Sequence, residues 1–162
     1  MTTRLAFIAV AALLALAPVA TAAGTITGTD ERDRLTGTPG TDRIHALGKD
    51  DVVSARAGAD IVDGGTGEDV VSAGPGNDRV YGRSGKDRLN GGSGADRLVG
   101  STGGDHLVGG PGADVLVGGK DSDTIVARDG TRDRISCGSG KEDRVVADRK
   151  DAVTGDCERV ER

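Results

Sequence analysis

Aromatic residues are almost missing from this chain of 162 residues, which has no Trp, one Phe and one Tyr. Phe7 lies in the first segment, so beyond residue 23 only Tyr81 remains, and a conventional core filled by aromatic rings is excluded. Cysteine is scarce too, with only Cys137 and Cys157, and histidine is limited to His45 and His106. Neither H-E-x-x-H nor G-x-S-x-G occurs, and no length is left over for a catalytic domain, so an enzyme is not expected. Basic excess is absent as well: the formal net charge is −5, which together with the lack of stacking rings argues against a nucleic-acid partner.

Long apolar runs are absent except for one, Leu5 to Leu16, which follows Arg4 and precedes the small residues Ala20-Thr21-Ala22-Ala23. It is shorter than the roughly 20 residues a membrane span needs and is followed by Pro18, so residues 1–23 read as a secretory signal peptide. The mature chain then carries no transmembrane segment, is secreted and extracellular, and has a formal charge of −6 once Arg4 is removed. It divides into residues 24–126, which repeat, and residues 127–162, which do so only loosely.

What the chain has in abundance is glycine, 28 residues of it, in a nine-residue period. Eleven rows fit from Gly28 to Val126 without a gap. Column six is Asp in every row, from Asp33 to Asp123, and column eight is always Leu, Ile or Val, from Leu35 to Ile125. Column one is Gly or Ala, column four is Gly except at Glu31, Lys49 and Asp121, and Pro39, Pro75 and Pro111 all stand in column three. Columns seven to nine suit a brief strand that points column eight inward and its neighbours outward. Columns one to six are then the turn, with glycine for positive φ and proline for a preset turn angle. So short a strand is stable only if identical turns stack, which makes column eight a narrow continuous core.

Stacking also brings the aspartates together. Strands lie about 4.8 Å apart, and two unit charges at about 5 Å repel by roughly 0.8 kcal/mol in water and about 3 kcal/mol at an effective dielectric of 20. Repeated along the stack, this exceeds the stability of an ordinary domain. Carboxylates and glycine-exposed carbonyls form an all-oxygen ligand set suited to Ca²⁺ and ill suited to zinc or copper. The rival reading is that each Asp caps its own turn while the following arginine (Arg34, Arg43, Arg79, Arg88, Arg97) neutralises it.

The rows GGTGEDVVS, GGSGADRLV and GGPGADVLV resemble, at every fixed position, the repeats-in-toxin or haemolysin-type calcium-binding nonapeptide G-G-x-G-x-D-x-U-x. The resemblance spans residues 28–126 and implies an all-β fold, a parallel β-roll (a right-handed β-solenoid) with two nonapeptides per turn. It further implies calcium between turns of rows two apart, with Asp60 facing Asp78, Asp69 facing Asp87, Asp78 facing Asp96, Asp87 facing Asp105 and Asp96 facing Asp114. The implied ligands are the carboxylates of Asp42, Asp51, Asp60, Asp69, Asp78, Asp87, Asp96, Asp105, Asp114 and Asp123. With them go the turn glycines Gly65, Gly67, Gly74, Gly76, Gly85, Gly92, Gly94, Gly103, Gly110 and Gly112. Because Arg56 and Arg83 replace column-two glycine and rows one, three and eleven lack column-four glycine, about four to seven ions are expected.

After Val126 the phase slips, yet Asp133-Arg134-Ile135, Asp143-Arg144-Val145 and Asp151-Ala152-Val153 keep strand-like cores, as a degenerate cap would. Cys137 and Cys157 stand twenty residues apart, close to one two-repeat turn of eighteen, in an exported chain, so a disulfide is expected. His45 and His106 fall on outward columns and read as surface residues. The expected function is a secreted, monomeric calcium binder whose folding is coupled to the ion, the alternative being an extracellular adhesion or surface-interaction scaffold. The outward valines Val99, Val108, Val115, Val117 and Val126 are expected to be covered by residues 127–162.

Overall fold

The computed structural model describes residues 24–162, so the signal-peptide reading of residues 1–23 lies outside the described residues. Sixteen strands alternate between two parallel sheets. The first sheet takes β1 (Thr25–Thr27), β3 (Arg43–His45), β5 (Ile61–Thr66), β7 (Arg79–Ser84), β9 (Arg97–Thr102), β11 (Val115–Lys120), β13 (Arg134–Ser139) and β15 (Ala152–Val153). The second takes β2 (Arg34–Thr36), β4 (Val52–Ser54), β6 (Val70–Pro75), β8 (Arg88–Ser93), β10 (His106–Val108), β12 (Thr124–Val126), β14 (Arg144–Val146) and β16 (Arg159–Glu161). Two strands make one coil, about eight coils make the solenoid, and among the described residues there is no helix.

The register follows the period. Ile44 pairs with Val62, Val80 with Leu98, and Leu98 with Leu116, each eighteen residues on, and the second sheet repeats this from Leu35 to Ile125. Column eight is therefore the core: from Ile44 to Ile125 its members are almost fully buried between the sheets. Column one shares that interior, with Ala46, Ala55 and Ala73 wholly buried where the residue is not glycine. The core is two small side chains wide, which is why it needs no rings.

Strands expected to span columns seven to nine run on through column three in the middle coils, as in β5 to β9. The cause is column two, which takes positive φ yet leaves the chain extended enough to keep pairing. Thr66 N–H, in column three, still donates to the Leu47 carbonyl one coil back at 2.9 Å. Pro75 lacks that donor, yet its strand reaches the same column and its carbonyl accepts from Gly58 N–H one coil back, as Ser84 does from Gly67.

The backbone conformation belongs to the column rather than to the glycine. Among the described residues, all six non-glycine residues with positive φ stand in column two (Leu47, Arg56, Arg83, Ser101) or column four (Lys49, Asp121). Each is held there by the coils on either side at a cost of about 1–2 kcal/mol.

The C-terminal segment continues the stack. Ile135 pairs with Leu116 and Val145 with Ile125 at spacings of nineteen and twenty residues, the extra residues being absorbed in turns. There side chains replace turn carbonyls: Gly112 N–H donates to Asp129 and Gly130 N–H to Asp148. Cys137 occupies a column-one position, fully buried, and is bonded to Cys157 with a Cα–Cα distance of 5.2 Å, within ordinary disulfide reach. Because residues 127–162 stack as further coils, they do not fold back over the outer faces. Val99, Val108, Val115, Val117 and Val126 stay half-buried there, contrary to the expectation that the tail covers them.

Replacing a strained column-two residue by glycine relieves the backbone at the cost of some unfolded-state entropy. Leu47→Gly and Arg56→Gly should each raise stability in calcium by about 0.5–1 kcal/mol. Gly92→Ala should lose about 2 kcal/mol or more, since its φ is 100° and its new Cβ would meet the Gly74 carbonyl. Denaturant midpoints measure all three, and a destabilised Leu47→Gly would contradict the assignment of strain.

Candidate metal centre

Column six turns its side chain inward at the edge of the core, where alternation puts it on the same side as column eight. From Asp42 to Asp123 every column-six aspartate is at most 2% exposed. Burial of so many carboxylates demands partners.

Half of the demand is met within the fold. From Asp33 to Asp105 the backbone N–H of each column-six aspartate donates to Oδ1 of the aspartate eighteen residues later, as in Asp60 to Asp78 at 2.7 Å, Asp69 to Asp87 at 2.9 Å and Asp78 to Asp96 at 2.8 Å, and Asp114 and Asp123 donate to Asp133 and Asp143 nineteen and twenty residues on. Asp87 to Asp105 and Asp96 to Asp114 follow at 2.9 and 2.8 Å, so the five facing pairs expected from the resemblance are consecutive rungs of two such ladders. The ladders end at the C-terminus on Asp151, which accepts from Asp133, and on Glu158, which accepts from Asp143.

The other half is left open. Oδ2 of Asp51, Asp60, Asp69, Asp78, Asp87, Asp96, Asp105, Asp114 and Asp123 is buried with no hydrogen-bond donor among the described residues. The same holds for Asp133 and Asp143, which the nine-residue rows do not reach. Their signal was the Asp-Arg-Ile and Asp-Arg-Val triplets, which keep the column-six to column-eight spacing after the phase slips.

These orphan oxygens do not stand alone. A Cβ placed on Gly64 would lie 2.6 Å from Asp69 Oδ2 and 2.9 Å from the Gly82 carbonyl oxygen, and one on Gly91 would lie 2.5 Å from Asp96 Oδ2 and 2.8 Å from the Gly109 carbonyl. Carboxylate and main-chain oxygens thus converge beside the glycines of column one. In column four, Gly67, Gly76, Gly85 and Gly94 have φ between 128° and 154°, and a Cβ on Gly76 would fall 3.2 Å from Asp78 Oδ1 and against the Gly58 carbonyl. The donor set is oxygen throughout, with the sulfurs consumed in the disulfide and both histidines on strand faces. Such a set fits a hard divalent cation of the calcium kind.

The first two rows are built otherwise. Asp33 Oδ2 accepts from Thr29 N–H and Oγ1 at 2.6 and 2.9 Å, and Asp42 Oδ2 from Thr38 N–H and Oγ1 at 2.6 and 3.0 Å. Oδ1 of Asp42 accepts from Gly24 N–H at 3.2 Å. Threonine in column two closes the turn by itself, so Asp42, expected among the ligands, sits in a satisfied turn cap instead of the orphaned set. Elsewhere the arginine half of the capping alternative fails on direction: the column-seven arginines are exposed on the outer faces, and no ion pair among the described residues joins one to a column-six aspartate.

Electrostatics follow from the burial. Desolvation pushes the carboxyls of Asp51, Asp78, Asp87 and Asp133 up to about 6 and those of Asp105, Asp114 and Asp123 up to about 7. The N–H donated from one coil back works against this shift, and neighbouring carboxylates add to it. A raised carboxyl means that the folded, metal-free chain takes up protons. Its contribution to stability is therefore complete below the unfolded value of about 4 and is lost as pH rises through about 6–7. Far-UV circular dichroism in chelator should show β structure at about pH 4 that melts out toward about pH 7. Calcium-free stability that instead rose across that window would contradict the burial account.

Four segments of the chain, residues 23–47, 36–71, 63–98 and 99–131, match the family model for the RTX calcium-binding nonapeptide repeat. No curated protein matches the chain significantly. The matches run from residue 23 to residue 131 and cover more than half of the chain, along the same coils that carry most of the orphaned carboxylates. The chain belongs to the RTX calcium-binding nonapeptide repeat family, whose repeats bind Ca²⁺ in a β-roll.

Proposed function

We propose that this protein is a secreted calcium binder whose folding is completed by the ion, and that the orphaned Oδ2 column is the seat of binding. One observation carries the reading: nine consecutive column-six aspartates, Asp51 to Asp123, bury an oxygen that nothing in the described fold satisfies. Bound Ca²⁺ supplies the positive charge and coordination these oxygens lack. The residues that would hold it are those aspartates, with carbonyls of the turns built by Gly65, Gly67, Gly74, Gly76, Gly85, Gly92, Gly94, Gly103, Gly110 and Gly112. Asp133 and Asp143 join the set on the same ground, and Asp42 leaves it. About four to seven ions fill these sites.

Coupling of binding to folding follows from the charge. Without metal, the carboxylates of each edge are ionised at neutral pH only at the cost of mutual repulsion and burial, so the chain stays unfolded until calcium is plentiful, as it is outside a cell. Residues 1–23 provide the route of export. The RTX repeat is a structural and binding element, and the roll takes no catalytic part in this reading. The alternative, an extracellular surface-interaction scaffold, draws support from the half-exposed in-register row Tyr81, Val99 and Val117 on the first sheet.

A calcium titration of residues 24–162 at neutral pH, followed by far-UV circular dichroism, should show β structure appearing with the metal and vanishing in chelator. Asp87→Asn should lower the number of bound ions in equilibrium dialysis and cost about 2.7 kcal/mol where calcium is a hundredfold above its Kd. Asp42→Asn should leave the ion count unchanged. Identical spectra with and without calcium would sink the proposal.

A further inference from the structure

The outer face of the first sheet carries a row of arginines that the calcium turns do not explain. In column seven the register reads Arg43, Ile61, Arg79, Arg97, Val115 and Arg134 along the stack. All four arginines are exposed. Arg79 and Arg97 are direct register partners on adjacent strands, about 4.8 Å apart. Like charges placed directly opposite destabilise a sheet.

Three arginines elsewhere in the fold have carboxylate partners: Arg32 pairs with Asp50, Arg83 with Asp63, and Arg144 with Glu161. None of the four in the row has a carboxylate partner among the described residues. The strands of this sheet hold six Lys and Arg residues against one acid, Asp63, and that acid is gripped by Arg83 through two nitrogens at 2.7–3.1 Å. Even the column-five residues leading into these strands, Thr41, Ala59, Asn77, Ala95 and Ala113, bring no carboxylate. Acid lies in the turns of this protein and base on its faces.

We propose that this face binds an extended polyanion, an acidic polysaccharide, along the row of arginines. The row follows one register column from β3 to β13, so a linear polymer with regularly repeated anionic groups meets several guanidinium groups at once. Beside it, two columns over, Tyr81, Val99 and Val117 form a half-buried apolar row, a surface suited to the faces of sugar rings. Nucleic acid fits less well, since Tyr81 is the single ring on offer for stacking. An anionic bilayer fits less well too, since Tyr81, Val99 and Val117 are half-buried and Leu47 is the one exposed large apolar side chain beside this sheet among the described residues, too little for an anchor.

Binding is gated by calcium. The inference rests on the calcium reading for this, because the sheet exists only when the coils are folded and because the metal-free chain, at −6, repels polyanions as a whole. Four divalent ions in the turns reverse that sign.

The test uses residues 24–162 in calcium, with dextran sulfate as probe and neutral dextran as control. The sulfated polymer should bind and the neutral one should not, with affinity falling as salt rises. The double variant Arg79→Gln/Arg97→Gln should bind about tenfold more weakly, with the salt slope reduced by about two, while its calcium-induced circular dichroism and melting are retained. Arg88→Gln on the opposite sheet should change affinity by less than about twofold. A double variant with wild-type affinity, equal retention by neutral dextran, or stronger binding to single-stranded DNA or anionic vesicles at the same salt would overturn the inference. A chain that folds in calcium yet ignores dextran sulfate fails this inference alone, whereas a circular dichroism spectrum indifferent to calcium fails the calcium reading whatever the polymer does.

Discussion

From Asp51 onward each inward aspartate of the turns up to Asp143 has two oxygens and one internal partner. Oδ1 takes the N–H of the aspartate one coil back, which ties neighbouring turns together with a bond of 2.7–2.9 Å repeated along both edges. Oδ2 is buried and unpaired from Asp51 to Asp143. A carboxylate in that position costs free energy as an anion and is kept either by a proton or by a cation. The turns therefore close well only when something positive is supplied, and every other regularity of the chain is arranged around that condition.

The narrowness of the coil is one such consequence. In the eleven rows column one is Gly or Ala, because the carboxylate and a carbonyl of the next coil crowd the space a larger side chain would fill. From the third row to the eleventh, columns two and four adopt positive φ because the turn has to curl while its strand keeps pairing, and the coils above and below impose this even on Arg56 and Asp121. What remains for the core is one aliphatic side chain per strand, which stacks without rings. The two ends of the solenoid are made independent of the cation. Thr29 and Thr38 satisfy Asp33 and Asp42 at the first coil. At the last, the disulfide is joined by Asp156, which despite partial burial is held at about 2 by hydrogen bonds from Thr154, Gly138 and Ser136 and closes the edge of β13.

Much of this was legible in the sequence because the side chains that matter recur at fixed spacing. The aspartate and aliphatic columns specify which residues face inward, which neighbours meet eighteen residues apart, and the oxygen chemistry of the turns. Backbone conformation was less legible. A non-glycine residue in column two reads as a break in the pattern, yet Leu47, Arg56, Arg83 and Ser101 keep the glycine geometry because stacking energy is shared across the coil. Strand length was underestimated for the same reason, since pairing through column three depends on the coil above. Asp133 and Asp143 escaped because turn insertions broke the nine-residue count while leaving the inward triplets intact. The fate of the outer valines depended on where residues 127–162 go, and a degenerate repeat gives no local sign that it stacks rather than folds back.

Each column-six amide is protected only while the carboxylate it donates to is held in place. Amide hydrogen exchange at neutral pH, resolved at Asp60, Asp69, Asp78 and Asp87 and compared between calcium and chelator, addresses this directly. Slow exchange in calcium that becomes fast throughout both ladders on metal removal is the predicted result. Equal protection of those amides in the two conditions would contradict it.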